Sequence, residues 1–139
     1  MGNKTPPHPN CPSWTTARFW GNIRGALRRG ATFYPPKLEC MKNAEVLVPL
    51  LDKDGSQAYY SATAKKAGQP RTRTDFTCAH CGEDHKRTNV EVDHIVGAGV
   101  LKDWDDLVPF VQRLYCSVDG LQVLCKPCHL IKTKEDKLL

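Results

Sequence analysis

Apolar side chains recur at helical intervals in the first part of the chain, in the segment "WTTARFWGNIRGALRRG". They stand at Trp14, Ala17, Trp20, Ile23 (or Arg24) and Leu27. Ser13 before them is a favourable N-cap, and Gly30 after them suits a helix end. A second helix is predicted in "YPPKLECMKNAEVLV" from about Pro36, because proline is tolerated at the first helical position. Residues 1 to 12 contain four prolines and are expected to form an irregular arm.

The pattern changes to alternation in "VEVDHI", where β-branched residues alternate with charged ones. This predicts a strand over residues 89 to 94 that ends on Asp93 and His94. A shorter strand is predicted at residues 76 to 81, and the apolar run "LQVLC" leads from 121 to 125.

A helical period returns in "LKDWDDLVPFVQRLYC", from about Asp103 and despite Pro109. Its apolar side carries Leu107, Phe110, Val111 and Leu114. A closing helix is predicted from Pro127 to about Lys137. Residues 52 to 75 show no sustained period and are interpreted as a linker or extended arm.

Charge is distributed unevenly along a chain of otherwise ordinary globular composition. The net charge is +5, with 12 Lys and Arg against 5 Asp and Glu in residues 1 to 75, and 8 against 10 in residues 76 to 139. A one-sided excess favours a polyanionic partner such as nucleic acid, although scattered solvated side chains are the alternative. The candidate phosphate-binding residues in the basic part are Arg18, Arg24, Arg28, Arg29, Arg71 and Arg73.

No apolar run approaches the roughly 20 residues that a membrane-spanning helix needs, and the polar start lacks a signal peptide's apolar centre. We therefore expect no membrane association and a cytoplasmic location.

Four of the seven cysteines form two CxxC pairs, "CAHC" at Cys78 and Cys81 and "CKPC" at Cys125 and Cys128. Two such pairs in a reducing compartment predict four thiolates around one tetrahedral Zn²⁺. The alternative is two unrelated redox or packing pairs. The remaining cysteines are expected to be buried small apolar residues: Cys11, Cys40 and Cys116.

A zinc ion between the pairs would hold the strand that ends at Asp93 and His94 against the helix that begins "PCHLIKT". Asp93 and His129 would then offer an oxygen and a nitrogen to a second metal, with His94 beside them as a base. Lys132, one turn beyond His129, would lie on the same helix face and hold a phosphate. The alternatives are a surface carboxylate beside a satisfied histidine, and His129 as a zinc ligand.

At these residues the sequence resembles the HNH nuclease family, whose core is a ββα-metal fold. The matching pieces are "CAHCG", "VDHI", "LQVLC" and "CKPCHLIKTKE", in family order over roughly residues 76 to 136. The resemblance implies that Asp93 is a metal-ligating acid, His94 the general base and His129 the second protein ligand. It also implies a structural zinc on the four cysteines and a separate catalytic ion, Mg²⁺ or Mn²⁺.

The segment "NIRGALRRGATFYPPKLECMKNA" is similar to the basic helical segment that precedes this core in small phage-encoded HNH proteins. Phage origin, a host-cell cytoplasmic location and phage packaging proteins as partners are suggested by this similarity alone. One position departs from the family pattern: the asparagine that precedes "LQ" in the family is Gly120 here.

We therefore expect an α+β protein with a zinc-stapled ββα-metal core at residues 76–139, preceded at 1–75 by basic α-helices and a linker that bind DNA. The expected activity is metal-dependent hydrolysis of double-stranded DNA that leaves a 5′-phosphate and a 3′-hydroxyl. The alternative is a zinc-ribbon module that binds DNA without cutting it.

Overall fold

The computed structural model describes residues 5 to 138. They form two compact units that interleave along the chain: one contains residues up to Glu39 and His94–Gln122, the other Cys40–Asp93 and residues from Val123 onward. Both helices and small sheets are present, so the predicted α+β class is confirmed. The predicted division into a DNA-binding part, residues 1–75, and a nuclease core, residues 76–139, stays a prediction. Within the described residues, no helix has the length and apolarity to cross a membrane.

The first unit begins with a small antiparallel pair, β1 (Pro7–His8) and β2 (Cys11–Thr15). The prediction of an irregular arm was therefore wrong for this stretch, while residues 1 to 4 lie outside the described part. Helix α1 (Thr16–Gly30) follows, and its N-cap is Thr15, whose hydroxyl accepts a hydrogen bond from the Arg18 backbone N–H. Ser13, the predicted cap, lies in β2 instead.

The rest of the first unit contains the start of α2 (Pro35–Asn43) and the helix α3 (Leu107–Leu114). Asp103 caps the 3₁₀ turn before α3, where its carboxylate accepts from the Asp106 N–H. Pro109 fits because it stands in the first turn of α3, where backbone N–H groups have no helical partner. A second 3₁₀ turn, Val118–Gly120, leads into β7.

The core of this unit lies between α1 and α3. Trp20 is 3% exposed and Phe110 is fully buried, and each contributes roughly 1.5–3 kcal/mol by leaving water. The other buried members of the cluster are Ala31, Ala98, Leu101 and Leu114. His8, which the sequence did not single out, is also buried and stacks on Phe19 at 3.7 Å between ring centroids.

The second unit contains a three-stranded antiparallel sheet in the order β3 (Glu45–Pro49), β4 (Thr72–Thr77), β5 (Asp84–His85). Strand β3 occupies the end of the segment predicted to be helical, because the alternating "EVLVP" pairs with residues 72–76 of β4. Strand β4 starts inside the predicted linker and ends at Thr77. The predicted strand over 76 to 81 was therefore misplaced, and the first CxxC pair lies in the turn after β4.

The predicted ββα element is present. β6 (Val90–His94) pairs with β7 (Leu121–Cys125), and α4 (Lys126–Lys137) follows β7 directly, with Pro127 in its first turn. The boundary between the compact units falls at the end of β6 and inside β7. Residues 90–93 of β6, the end of β7 and all described residues of α4 belong to the second unit.

Candidate functional site

The four cysteines predicted to bind zinc lie together in the second unit. One sulfur from each of Cys78, Cys81, Cys125 and Cys128 lies within 4.8 Å of the other three, and Cys81 Sγ is 3.9 Å from Cys125 Sγ. This is the ligand set of a closed, structural zinc site. The predicted four-thiol cluster is confirmed, and its residues fit Zn²⁺.

Backbone hydrogen bonds shape the first cysteine pair into a tight turn. Cys78 N–H donates to Glu83 O at 2.9 Å, and Gly82 N–H donates to Cys78 O at 3.0 Å. Gly82 has φ +73°, a left-handed conformation that glycine adopts without steric cost. Ala79 N–H donates to Val123 O at 2.8 Å and so ties this turn to β7, which delivers Cys125.

The local hydrogen bonds shift the pKa values of Cys78 and Cys128 in opposite directions. Burial alone raises the pKa of Cys78, but backbone N–H donors from Cys125, Cys81 and His80 outweigh burial and lower that pKa to about 6. Hydrogen bonding to Cys125, with burial, raises the pKa of Cys128 to about 12. Crowded thiols resist losing all their protons together, so a cation is needed to stabilise four thiolates at once.

The proposed metal ligands Asp93 and His129 also meet inside the second unit. Asp93 Oδ1, near the end of β6, lies 3.4 Å from His129 Nε2 in the first turns of α4. The ammonium of Lys132 lies 3.0 Å from Asp93 Oδ2. Asp93 is 12% exposed at its side chain and Lys132 22%, so the pair is largely shielded from water.

Two acidic residues missed in the sequence complete this cluster. Glu91 Oε2 lies 3.2 Å from His129 Nδ1, and Asp136 Oδ2 lies 3.3 Å from Lys132 Nζ. The signal for Glu91 was available, because residues two apart on a strand point to the same face and Glu91 precedes Asp93 by two. Asp136 follows Lys132 by one helical turn. His129 and Lys132, both on α4, therefore each lie close to two carboxylates.

His94, the predicted base, belongs to the first unit, where its Nε2 lies 2.8 Å from Leu114 O. A carbonyl oxygen only accepts hydrogen bonds, so Nε2 carries a proton and donates it to Leu114 O.

Gly120, where the resemblance led us to expect an asparagine, is in close contact with Cys116 in the first unit. A Cβ on Gly120 would lie 2.8 Å from Cys116 Sγ and 3.1 Å from Cys116 Cβ. Of the three cysteines expected to be buried, Cys40 is, whereas Cys11 and Cys116 are half-buried.

The basic candidates of α1 lie in the first unit. Arg18, Arg28 and Arg29 are exposed, with Arg18 stacked over the Trp14 ring at 4.6 Å and Arg28 near the Phe110 ring at 5.8 Å. Arg24 is half-buried, and its guanidinium donates to Leu101 O at 3.2 Å. Arg24 therefore links α1 to the backbone at Leu101 within the first unit.

The two remaining arginines lie in the second unit and differ from each other. Arg71 is exposed and lies 5.7 Å from the Tyr60 ring. Arg73 makes two hydrogen bonds to Asp75, from Nε at 3.0 Å and from Nη2 at 3.2 Å. Since the Asp75 side chain is only 4% exposed, Arg73 compensates a buried carboxylate.

Fold and site together define a small α+β protein with a four-thiol zinc-type site beside an acid, histidine and lysine cluster. The chain is 39% identical over 67 residues to a probable HNH endonuclease of Lactococcus phage SK1. The match spans 48% of this chain and 64% of that relative, so slightly under two thirds of the relative's length is covered. The resemblance to HNH endonucleases is thereby confirmed. No protein-family model and no solved structure matches the chain.

Proposed function

We propose that this protein is a metal-dependent endonuclease of the HNH type, which hydrolyses phosphodiester bonds of double-stranded DNA. The approach of Asp93 Oδ1 and His129 Nε2 to 3.4 Å carries the proposal, because it supplies the oxygen and nitrogen ligands that the resemblance implies. The probable HNH endonuclease of Lactococcus phage SK1 supports the same activity.

Asp93 and His129 suit a divalent ion that accepts carboxylate and imidazole ligands, such as Mg²⁺ or Mn²⁺. The Lys132 ammonium lies 3.0 Å from Asp93 Oδ2, whereas Oδ1 is the oxygen that faces His129 Nε2, so Oδ1 is the atom proposed to bind the ion. When bound, the ion supplies charge stabilisation for the phosphate and the departing 3′ oxygen. Lys132 adds a positive charge beside it, which favours binding of a DNA phosphate.

Glu91 acts as a positioning residue for His129. Its carboxylate, 3.2 Å from His129 Nδ1, accepts the proton of that nitrogen and so leaves Nε2 as the ligand atom that faces Asp93. A carboxylate behind a ligating histidine fixes the tautomer and the ring orientation and makes the imidazole more basic.

His94, the next residue after Asp93 on β6, is the proposed general base. Because its Nε2 proton is directed to Leu114 O, Nδ1 is the atom that takes the proton of the attacking water. Loss of that proton makes the water nucleophilic, and attack in line with the 3′ oxygen leaves a 5′-phosphate and a 3′-hydroxyl.

The exposed arginines provide the proposed contacts to the DNA backbone. Four exposed arginines can contact DNA phosphates whatever the base sequence: Arg18, Arg28 and Arg29 on α1, and Arg71 in the second unit. Binding should therefore weaken steeply with salt.

A zinc-ribbon module that binds DNA without cutting it is the second candidate. The ion pair between Lys132 and Asp93 favours it, because a carboxylate neutralised by an ammonium has less need of a metal. Such a module keeps the arginines and the four-thiol site but gains nothing from His94.

Plasmid nicking distinguishes the two functions. Purified protein is assayed with Mg²⁺, with Mn²⁺ and with EDTA, beside the variants His94→Ala and Asp93→Asn and the control His80→Ala, an exposed histidine of the cysteine turn. The proposal expects nicking that EDTA and both site variants abolish, at ends that DNA ligase can reseal. Equal nicking by parent and His94→Ala, or salt-sensitive binding with no nicking in any metal, would contradict it.

A further inference from the structure

A second group of metal-ligating side chains lies on the outside of the four-thiol site. One ligand atom from each of Cys81, Glu83 and His85 lies within 4.8 Å of the other two, and His85 Nε2 is 3.8 Å from Cys81 Sγ. Cys81 and Glu83 are exposed and His85 is half-buried, so this group faces solvent. Cys81 is the only member that the four-thiol site also uses.

The backbone holds these three residues in place. In β5, His85 pairs with Phe76 and Asp84 with Thr77, while the Thr77 hydroxyl donates to Asp84 Oδ1 at 2.7 Å. Glu83 O accepts from Cys78 N–H at 2.9 Å. The strand pairing and the Cys78–Glu83 hydrogen bond therefore fix the backbone that carries Glu83 and His85 beside the cysteine turn.

The donor set defines the ion that would bind. A thiolate, a carboxylate and an imidazole suit a borderline ion such as Zn²⁺, which accepts sulfur, nitrogen and oxygen ligands in tetrahedral geometry. A thiolate sulfur has enough lone pairs to bridge two ions, as in zinc modules in which six cysteines hold two metals. Three protein ligands leave a fourth position to water, so this ion would exchange more readily than one enclosed by four thiolates.

We propose that Cys81, Glu83 and His85 form a second, weaker zinc site that shares the Cys81 sulfur with the four-thiol site. The site is independent of the nuclease chemistry and of Asp93 and His129. Its competitor is a role for His85 as an N–H donor to the Cys81 sulfur, which would adjust the first site without binding an ion.

Cobalt titration tests the proposal, because Co²⁺ replaces Zn²⁺ and its absorption reports the number of sulfur ligands. Metal-free, reduced full-length protein carrying Asp93→Asn and His129→Gln is used, so that the proposed nuclease site takes up no ion. We expect one equivalent with a four-thiolate spectrum, then a weaker equivalent that changes the sulfur-to-cobalt absorption. Glu83→Gln and His85→Gln should lose the second event and keep the first, whereas His80→Gln should keep both.

The first event also shows that each variant folds. A single equivalent in the starting protein, or a second event that survives Glu83→Gln with His85→Gln, would overturn the proposal. The proposal would also be overturned if His85→Gln changed only the first event. In that case the affinity of the first site should fall by roughly 10- to 100-fold, the usual effect of removing a side chain that hydrogen-bonds to a metal ligand.

Discussion

Lys132 Nζ lies 3.0 Å from Asp93 Oδ2 and 3.3 Å from Asp136 Oδ2, so one ammonium joins the carboxylate of a proposed metal ligand to a carboxylate one turn further along α4. This ammonium and a divalent ion compete for Asp93. When Asp93 binds a metal ion, Lys132 can keep its ion pair with Asp136.

Lys132→Met should therefore tighten Mn²⁺ binding by about fivefold, since a partly exposed ion pair contributes at most about 1 kcal/mol. DNA cleavage should fall at the same time, because the proposed phosphate contact is lost. Isothermal titration calorimetry and plasmid nicking measure the two effects, with Lys134→Met as the control. Weaker Mn²⁺ binding in Lys132→Met would show that the lysine does not compete for this site.

The same ion pair predicts a dependence of stability on alkaline pH. Burial alone would lower the pKa of Lys132, but Asp93 and Asp136 outweigh burial and raise it above the ordinary 10.5. A raised lysine pKa contributes stability that is complete below pH 10.5 and is lost as the pH rises through the folded-state value. With Zn²⁺ on the four cysteines and no other divalent ion added, the difference in urea unfolding free energy between parent and Lys132→Met should stay constant from neutral pH and shrink only above pH 10.5. A difference that already declines near neutrality would contradict the pairing.

Glu91→Ala should lower DNA cleavage by about 10- to 100-fold, the usual effect of removing a carboxylate behind a ligating histidine. Glu91→Gln should retain part of the activity, because an amide oxygen still accepts from His129 Nδ1. Because the loss acts through metal binding, higher Mn²⁺ should restore Glu91→Ala in part and should not restore His94→Ala. Glu135→Ala, an exposed change on α4, is the matched control. No response of Glu91→Ala to metal concentration would leave Glu91 with a role in folding only.

The sequence predicted the four-cysteine cluster and the strand that carries Asp93, but it did not predict all of the surrounding sheet. The CxxC spacing indicated a tight turn with two convergent sulfurs, and "VEVDHI" indicated a strand, since both signals are local. Strand β3 was missed because its pairing with β4 joins residues 45–49 to 72–76, across a segment that has no period of its own. The partners of Arg73, His8 and Lys132 were likewise missed, because burial and ion pairing depend on tertiary contacts.

Gly120→Asn tests whether restoring the family residue helps. The added Cβ would lie 2.8 Å from Cys116 Sγ and 3.1 Å from Cys116 Cβ, so we expect a loss of about 1–3 kcal/mol of stability from overpacking and no gain in cleavage. Gly120→Ala isolates the steric part. Combining Gly120→Ala with Cys116→Ala should recover part of the loss in a urea-unfolding double-mutant cycle. Full additivity of the two changes, or higher activity in Gly120→Asn, would contradict this account.

Substitutions of Arg71 and Arg73 should have different effects, one on DNA binding and the other on stability, although the sequence suggested phosphate binding for both. Arg73→Ala leaves the Asp75 carboxylate, 4% exposed, without its two hydrogen bonds, and should lower the free energy of unfolding by about 1–3 kcal/mol. Arg71→Ala should leave stability unchanged and reduce both DNA affinity and its salt dependence. Thermal unfolding and fluorescence anisotropy with duplex DNA at several salt concentrations measure the pair. A stable Arg73→Ala protein with weakened DNA binding would reverse these roles.

Metal removal should unfold the second unit before the first. The four-thiol cluster ties the turn after β4 to β7 and α4, whereas the first unit has its own apolar core of Trp20, Leu101, Phe110 and neighbours. Binding of a structural zinc ion contributes on the order of 10 kcal/mol to the folding free energy of small zinc domains. This exceeds the stability that we expect the second unit to have without the metal. Hydrogen exchange after treatment with a strong zinc chelator should therefore show lost protection in β4, β7 and α4 while α1 and α3 keep theirs. Cys125→Ser should reproduce this pattern without chelator, and Cys11→Ser, outside the cluster, should not. Uniform protection in chelated protein would mean that packing alone holds the second unit together.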